Sequence, residues 1–355
     1  MERSTNQRTT GDKNAVENAQ SLGHLETKDH EQAELFGNRL RKLSRHLRRW
    51  PTKRGITCYR LYEKDIPEIP LVVDRYEDYL HITEFERPHT RDADRHAAWL
   101  QLMQQTAATT LDVQLCNTYV KQRFKSGELK QYRKVGASGQ LIPVRESGLR
   151  FLVNLQDYVD TGLFLDHRNT RGWVREEAEG KRFLNLFAYT GSFSVYAAAG
   201  GAITTTSVDL SKNYLQWAQQ NFEANQLGGS QHRFVSSDTL EFLAEAAKRG
   251  EQFDLAVVDP PTYSNSKRTD QDWDVQKQHS LLLNRLRDVM PAGAIVYFST
   301  NFRRFKFATD EIDGFEVHEI SNRSVPEDFR NRRIHRCWRM VACDRCATPG
   351  GPDAD

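Results

Sequence analysis

The sequence predicts an α/β fold in which a mostly parallel sheet follows a smaller N-terminal α+β domain. From residue 172 to residue 293, short apolar runs alternate with segments of helical periodicity, as in a parallel sheet covered by helices. Acidic residues follow three of the predicted strands. We therefore expect four regions: a disordered tail over 1–30, the α+β domain over 31–150, the α/β domain over 151–345, and a loose tail over 346–355.

The first unit of the α/β domain is a strand, a turn, a helix and a second strand. Residues 183–186 are a short and mostly apolar run, as in a buried parallel strand. A tight turn over 187–191 follows, and Ser192 is in position to cap the next helix. Residues 203–208 are rich in β-branched side chains and predict the second strand, which Asp209 closes.

This unit has the features of a nucleoside site. An acid after the second strand can accept hydrogen bonds from both ribose hydroxyls. A dinucleotide site needs three glycines at the first turn for close approach of a pyrophosphate, and this turn has only Gly191. The turn therefore suits a nucleoside without phosphates, and we expect S-adenosylmethionine. The alternative is an α/β unit without a ligand, in which Asp209 is a plain helix cap.

Three more strands and three helices complete the alternation. Asp238 follows the third strand, and the sequence Asp259-Pro-Pro-Thr-Tyr follows the fourth. We predict strands over 232–235, 253–258 and 294–299, helices over 212–225, 239–248 and 274–290, and two last strands over 315–320 and 334–341.

The prolines after the fourth strand predict a stiff ledge. Ligands of open α/β sheets bind beyond the carboxyl ends of the strands. Two prolines fix φ and remove two amide donors. The backbone carbonyls remain available as hydrogen-bond acceptors, and the rigid segment offers a surface on which a flat base can lie. An isolated Asp-Pro-Pro sequence indicates no more than a rigid turn, but here acids also follow the second and third strands. The candidate catalytic residues are Asp259, Pro260, Pro261 and Tyr263.

Together these motifs resemble those of class I S-adenosylmethionine-dependent methyltransferases, which have a Rossmann-like fold. Three segments, 160–168, 259–268 and 331–338, resemble more closely the RlmK-type enzymes, which form the guanine-N7 half of the bacterial 23S rRNA methyltransferase RlmKL. The resemblance covers about residues 35–341. The sequence has no counterpart of the partner half, which methylates guanine at its exocyclic amine.

The resemblance implies a set of cofactor contacts. It places Asp209 on the ribose, Asp238 near the adenine and Asp259 near the methyl donor. It also makes Asp166 and Arg168 candidates for the methionine end, where Arg168 would pair with a carboxylate; the alternative for both is an ordinary ion pair at a strand end. The candidate cofactor residues are Asp166, Arg168, Asn185, Phe187, Ala188, Tyr189, Thr190, Gly191, Asp209, Leu210, Asp238, Thr239 and Asp259.

The chemistry of the sequence agrees with a nitrogen acceptor. Methylation at carbon five of a pyrimidine needs an attacking thiolate, and no cysteine lies between Cys116 and Cys337. Guanine N7 has an in-plane lone pair and no proton, so in-line positioning does most of the work. Asp259 and the Pro260 carbonyl would stabilise the cationic product. Two rivals stay open: methylation of another base nitrogen or another RNA, and an RNA-binding protein without turnover.

Several basic segments are candidate RNA contacts. The helical run over 31–50 has an apolar face, and the rest of its surface carries cations. The segment 119–134 combines cations with aromatic rings. Beyond the fifth strand, cations alternate with Phe302 and Phe305. The alternatives are a solvated helix face, a mobile basic loop and a helix that docks its Phe face. The candidates are Arg41, Arg45, Arg123, Lys125, Arg303, Arg304, Lys306, Arg332 and Arg333, and the expected partner is 23S rRNA or the assembling large ribosomal subunit.

Composition limits the remaining classes. The net charge of +2 means that any nucleic-acid surface is local. Five cysteines are few and odd in number, which favours a reducing cytoplasm over a disulfide framework. Cys343 and Cys346 have metal-ligand spacing but no second pair, so we predict no metal site. No apolar run is long enough for a membrane span.

Overall fold

The computed structural model describes residues 25–85, 91–123, 139–158, 160–265 and 272–344, and it forms two compact units that divide between residues 128 and 129. The sequence placed this boundary at residue 150. The difference arises from a hairpin over residues 142–153, which has the pattern of the earlier short strands. Side chains of the second unit hold its backbone, since Asn221 and Asn225 accept from the amides of Leu152 and Arg150 over 2.8 Å.

The first unit is a four-stranded sheet with helices packed on it. The order is β1-β2-β3-β4, with β1 to β3 antiparallel and β4 parallel to β3. The elements are α1 (Thr27–Leu47), α2 (Arg49–Arg54), β1 (Cys58–Glu63), β2 (Leu71–Tyr76), β3 (Tyr79–Phe85), α3 (Ala93–Thr110) and β4 (Thr118–Arg123).

The predicted apolar face of the first helix is confirmed. Phe36, Leu40 and Leu47 are buried in the core of this unit. The helix begins at Thr27, whereas the sequence suggested a tail up to residue 30. The reason is Asp29, which is fully buried and accepts from Arg91 and Arg95 at the start of the α3 region, so that the first turn of the helix is fixed.

The second unit contains the predicted alternation of strands and helices. Its elements are β5 (Ile142–Glu146), β6 (Leu149–Val153), α4 (Arg168–Glu177), β7 (Arg182–Leu186), α5 (Ser192–Ala199), β8 (Thr204–Asp209), α6 (Lys212–Ala224), β9 (His232–Ser236), α7 (Thr239–Lys248), β10 (Leu255–Val258), β11 (Tyr263–Ser264), β12 (Trp273–Asp274), α8 (Val275–Arg287), β13 (Ile295–Thr300), β14 (Phe315–Glu319), α9 (Ser321–Ser324) and β15 (Arg336–Ala342).

Seven of these strands form one sheet with the order β14-β15-β13-β10-β7-β8-β9. The five strands from β13 to β9 are parallel to one another, and β15 is antiparallel to both of its neighbours, β13 and β14. Every residue of β10 is buried, which fits its place at the centre of the sheet. The strand order reverses between β7 and β10, and the carboxyl ends of strands at such a reversal are where ligands of α/β sheets bind.

Across the described ranges, no helix has both the length and the apolar character that crossing a membrane requires.

Candidate functional site

The predicted loops meet at one edge of the large sheet. The turn after β7, Asp209 as the last residue of β8, Asp238 after β9 and Asp259 after β10 all lie at the carboxyl ends of neighbouring parallel strands. Direct bonds join the first two: the Tyr189 amide donates to Asp209 Oδ2 over 2.9 Å, and the Ala188 amide donates to the Val208 carbonyl over 2.9 Å. The sheet therefore brings together residues that are up to 72 positions apart in the sequence, as Phe187 and Asp259 are.

The turn after β7 has an unusual backbone. Phe187, Tyr189 and Gly191 have φ values of 59°, 50° and 71°, in the left-handed region. Non-glycine residues there carry strain, which is common at ligand sites. Gly191 is the N-cap of α5, so the expectation that Ser192 caps this helix is wrong; Ser192 is the first helical residue. Backbone amides at this helix start therefore face the same edge as the carboxylates.

Gly191 is the residue of the turn that tolerates substitution least. A Cβ at this position would lie 2.7 Å from the Cβ of Ala218 on α6, in addition to the positive φ. We expect Gly191→Ala to destabilise the protein by about 1–3 kcal/mol and to weaken cofactor binding. Gly180→Ala is the matched control, because its φ is +69° with nothing within 4 Å. Chemical denaturation and calorimetry measure both effects; equal losses in the two variants would contradict the close contact.

Asp209 is organised as a hydrogen-bond acceptor. Oδ2 accepts from the Tyr189 amide and Oδ1 accepts from the Ser211 amide over 2.8 Å. A carboxylate offers about four acceptor positions, so it keeps capacity for two ribose hydroxyls. Burial raises the pKa of Asp209 to about 6, although both backbone amides lower it. One oxygen of Asp238 caps α7 by accepting from Leu240 and Glu241. The donors and acceptors at this edge fit the nucleoside part of S-adenosylmethionine.

Two candidate cofactor residues support the turn from behind. The amide of Asn185 is buried and donates to Ser194 Oγ, which is 2.7 Å from Ser207 Oγ. The buried hydroxyl of Thr190 donates to the Gly162 carbonyl over 2.5 Å. Thr239 is also buried, and Leu210 is half-buried beside Asp209. The side chains of Asn185 and Thr190 thus fix the shape of the turn.

Arg168 has different partners from those that the resemblance suggested. Its Nε lies 3.1 Å from Glu146 Oε2 and its Nη1 lies 2.7 Å from Asp328 Oδ1, and its side chain is buried. Glu146 also pairs with the fully buried Arg171 over 2.7 Å. Two carboxylates therefore already neutralise Arg168, in agreement with the alternative of an ordinary ion pair, although this pair is buried and Arg168 begins a helix.

The ledge after β10 has the expected position but fewer open acceptors. Ser299 Oγ donates to Asp259 Oδ1 over 2.6 Å. The Pro261 carbonyl accepts from the Trp273 indole over 2.8 Å, so this carbonyl is not free, contrary to our expectation. Tyr263 is 44% exposed and its hydroxyl bonds Asp272. Trp273 in turn packs on Phe187, with ring centroids 5.2 Å apart, and so joins the ledge to the turn after β7.

A cluster beside Asp259 was not predicted. The Nε2 atom of His167 lies 3.4 Å from Asp259 Oδ2 and 3.8 Å from Asp166 Oδ2, and His335 Nδ1 lies 2.9 Å from Asp166 Oδ2. Neither histidine was among the candidate site residues. The sequence signal was present, because His167 and His335 lie within the segments that carry the family resemblance.

Cys337 lies closer to the ledge than the sequence suggested. It pairs with Ser299 across β13 and β15, so a cysteine lies close to the carboxyl edge that carries Asp259. Its side chain is fully buried, and burial raises the pKa of the thiol to about 12, with Asp259 and Glu319 contributing in the same direction. A thiol in this state is not a thiolate nucleophile at neutral pH.

The candidate RNA residues divide into exposed cations and cations with internal partners. Phe305 is buried, and Phe302 and Phe307 pack against the core, so the rings near Arg303 face inward, in agreement with the alternative of a segment that docks its Phe face. Arg332 donates to the Pro326 and Asn322 carbonyls. Arg123 is half-buried at the end of β4, and Lys125 lies outside the described residues. Arg332 is nevertheless exposed, and the other exposed candidates are Arg41, Arg45, Arg303, Arg304, Lys306 and Arg333.

Comparison with known proteins adds independent information. A model of the S-adenosylmethionine-dependent methyltransferase family matches residues 57–302. The chain is 43% identical over 305 residues to "Ribosomal RNA large subunit methyltransferase K" of Neisseria meningitidis serogroup B, covering 86% of each. It is 46% identical over 311 residues to "Ribosomal RNA large subunit methyltransferase K/L" of Aeromonas salmonicida, covering 87% of this chain but 43% of that relative. The chain therefore spans less than half the length of that K/L relative.

Among solved structures, SMU.776, a putative methyltransferase complexed with SAH, aligns with a TM-score of 0.71 over 87% of this chain and 82% of that chain. At 22% identity this likeness supports the fold.

Proposed function

Since this chain belongs to the family of S-adenosylmethionine-dependent methyltransferases, we propose that it methylates ribosomal RNA of the large subunit, at N7 of a guanine. The observation that carries the proposal is the carboxyl edge of the sheet, where the turn after β7, Asp209, Asp238 and Asp259 meet. The names of the relatives support rRNA as the substrate.

The cofactor supplies an electrophilic methyl group on a sulfonium centre. The turn after β7 and Asp209 would bind its nucleoside part, and Asp238 would lie near the adenine. Asp259, Pro260 and Pro261 would form the ledge on which the acceptor base lies, with the exposed ring of Tyr263 beside it. Asp259 would keep its negative charge next to the base as positive charge develops on the ring.

The state of Cys337 favours a nitrogen acceptor. Carbon methylation of a pyrimidine needs a covalent thiolate adduct, and the cysteine beside Asp259 is buried and protonated. Guanine N7 needs neither a thiolate nor a base, because its lone pair is already in the plane of the ring. The residues that remain have to orient the base in line with the methyl group and exclude water.

Nucleoside analysis tests the proposed function directly. Total RNA from cells that lack the chain should lose 7-methylguanosine at one position of the large-subunit rRNA, and the purified chain with labelled S-adenosylmethionine should restore it on that RNA. Label on another base nitrogen or on another RNA would favour the first rival. Binding of RNA and cofactor without transfer would favour a non-catalytic RNA-binding protein.

The pH dependence of cofactor binding tests the role of Asp209. Its pKa is raised to about 6 by burial, and ribose hydroxyls donate to the ionised form. Affinity for S-adenosylmethionine should therefore be full above pH 6 and fall about tenfold as the carboxyl is protonated below it. Calorimetry from pH 5 to pH 8 measures this. Asp209→Asn has no titrating group, so a step near pH 6 that persists in this variant would exclude Asp209 as its source.

The exposed cations of α1 are proposed to bind phosphates. Arg41 and Arg45 lie on the polar face of the helix, opposite the buried Phe36 and Leu40. Arg41→Ala with Arg45→Ala should weaken RNA binding and reduce the slope of log affinity against log salt by somewhat less than about two, while turnover at saturating RNA is nearly unchanged. Glu31→Gln with Glu34→Gln, exposed acids of the same helix, is the control. An unchanged slope in the arginine variant would remove this helix from the interface.

A further inference from the structure

The carboxylate of Asp259 lies between two side chains from other elements. Ser299 Oγ, near the end of β13, donates to Oδ1 over 2.6 Å. His167 Nε2, from the turn that precedes α4, lies 3.4 Å from Oδ2. Asp259 therefore has a polar contact on each oxygen, and both contacts lie inside the protein, since Ser299 is 2% exposed and His167 is 5% exposed.

The surroundings of His167 indicate which nitrogen carries the proton. Nε2 faces two carboxylate oxygens, of Asp259 and Asp166, and an unprotonated nitrogen there would oppose two acceptors. Nδ1 is buried and has no hydrogen-bond partner among the described residues. A buried lone pair without a partner costs less free energy than a buried N–H group without one, so Nδ1 is the nitrogen that lacks the proton. Burial lowers the pKa of His167 and outweighs the carboxylates of Asp259 and Asp166, which raise it; His335 and Arg171 also face the ring and act in the same direction as burial. The ring is therefore neutral with its proton on Nε2.

The second histidine fixes the plane of the first. The rings of His167 and His335 are stacked, with centroids 4.4 Å apart and planes 11° apart. His335 is itself held at both nitrogens, by Asp166 Oδ2 over 2.9 Å and by Ser324 Oγ over 2.8 Å. Phe193 on α5 packs its edge against His167 with centroids 5.7 Å apart. The direction of the Nε2–H bond is thus set by residues of three separate elements.

A metal ion is a poorer explanation of the same cluster. Ligand atoms of Asp166, His167 and His335 lie within 4.8 Å of one another. The lone pair of an imidazole nitrogen lies in the ring plane, however, and two stacked parallel rings cannot both direct their lone pairs at one ion. His335 Nδ1 is also already used by Asp166.

We propose that His167 is a positioning residue: its Nε2–H donates to Asp259 and, together with Ser299, fixes the plane of that carboxylate against the methyl acceptor. The inference rests on the proposed function, in which Asp259 contacts the acceptor base. Within the described ranges, His167 does not contact the turn after β7, Asp209 or Asp238, which would bind the nucleoside part of the cofactor, so its loss acts on the rate of transfer more than on binding.

Three substitutions at His167 separate the effect of the hydrogen-bond donor from the effect of the aromatic ring. The amide nitrogen of Gln reaches about as far as Nε2, that of Asn reaches only the position of Nδ1, and Phe keeps the stacking without a donor. We expect His167→Gln to transfer methyl groups within about fivefold of the original rate, and His167→Asn and His167→Phe to lose about 10²-fold in kcat. The KM for RNA and the affinity for S-adenosylmethionine should stay within about threefold in all three.

The comparison of Gln with Asn decides the outcome even if the Phe variant does not fold. Equal rates for Gln and Asn, or losses that appear in KM alone, would overturn the proposal. So would activity that 1,10-phenanthroline abolishes and Zn²⁺ restores, because a metal-bound Nε2 has no proton to donate.

Histidine NMR tests the donor without any turnover. Long-range ¹H–¹⁵N correlation in the full chain should show Nε2 of His167 protonated at neutral pH, and a proton on Nδ1 would overturn the proposal. A wild-type chain that transfers no methyl group to rRNA would contradict the proposed function instead, and the tautomer would still report on the His167 donor.

Discussion

Replacing Asp259 by Asn is expected to lower the rate constant of methyl transfer by about 10²- to 10³-fold. The substitution keeps the shape of the side chain and its contact with Ser299, but it removes the negative charge that would face the base as the base becomes cationic. Affinity for S-adenosylmethionine should change by less than about tenfold, because Asp209 and the turn after β7 carry the nucleoside contacts. Single-turnover transfer to large-subunit rRNA, paired with calorimetry, measures the two quantities separately.

Asp254→Asn is a matched control on the same strand. Asp254 precedes β10 and Asp259 follows it, so the two acids lie at opposite edges of the sheet. Asp254 pairs with Arg182 over 2.7 Å at a partly exposed position, where an ion pair stabilises by about 0–1 kcal/mol. This variant should retain the full rate. If both variants lose the same rate, or if Asp259→Asn transfers normally, the ledge after β10 is not the reacting centre.

Local patterns were sufficient for the order of the elements in the second unit. The strands β7, β10 and β13 are short and mostly apolar, and β8 is rich in β-branched side chains; a turn or an acid lies at the end of each, and apolar side chains of the helices between them are buried. Since parallel strands end at one edge, the acids at 209, 238 and 259 could be assigned to a common site from the sequence alone. The sequence predicted the helix caps less reliably. Ser211 caps α6, as a serine before a helical segment indicates, whereas Gly191 and not Ser192 is the N-cap of α5.

The rest of the site depends on contacts between distant segments. The antiparallel pairing of β15 with β13 places Cys337 opposite Ser299 and brings His335 within 2.9 Å of Asp166, 169 positions away. Composition and periodicity do not encode such a pairing, so the cysteine was expected to lie far from the ledge and neither histidine was assigned to the site. The membership of the β5–β6 hairpin was missed for the same reason, because its partners are side chains of α6.

An alternation of aromatic rings and cations can also arise for two different structural reasons, and the sequence alone does not distinguish them. Phe302, Arg303, Arg304 and Phe305 resemble a base-stacking segment, and the same alternation arises where an extended chain buries every ring against a core. The fold resolves this case, since Phe305 contacts His279, Phe298 and Trp338. The cations remain exposed, so this segment can neutralise phosphates while its rings stabilise the domain.

The largest expected loss of stability is at Glu146, which lies at the end of β5 and is fully buried. Its carboxylate accepts from Arg168 Nε over 3.1 Å, from Arg171 Nε over 2.8 Å and from the Tyr196 hydroxyl over 2.9 Å. Glu146→Ala leaves the fully buried guanidinium of Arg171 without this charge, while Arg168 keeps Asp328. Removal of one partner of a buried ion pair costs about 3–5 kcal/mol, and we expect that loss in urea unfolding followed by circular dichroism.

Glu245→Ala is the control for this prediction, because Glu245 pairs with Lys248 over 2.7 Å at an exposed position where water screens the ion pair and its loss hardly changes stability. Similar losses in the two variants would mean that the Arg171 charge is relieved elsewhere. The Glu146 variant should also lose methyl transfer before it unfolds. Arg171 Nη1 donates to the Phe164 carbonyl over 2.9 Å, and Phe164 precedes the turn that carries Asp166 and His167, so a displaced Arg171 releases the histidine that lies beside Asp259.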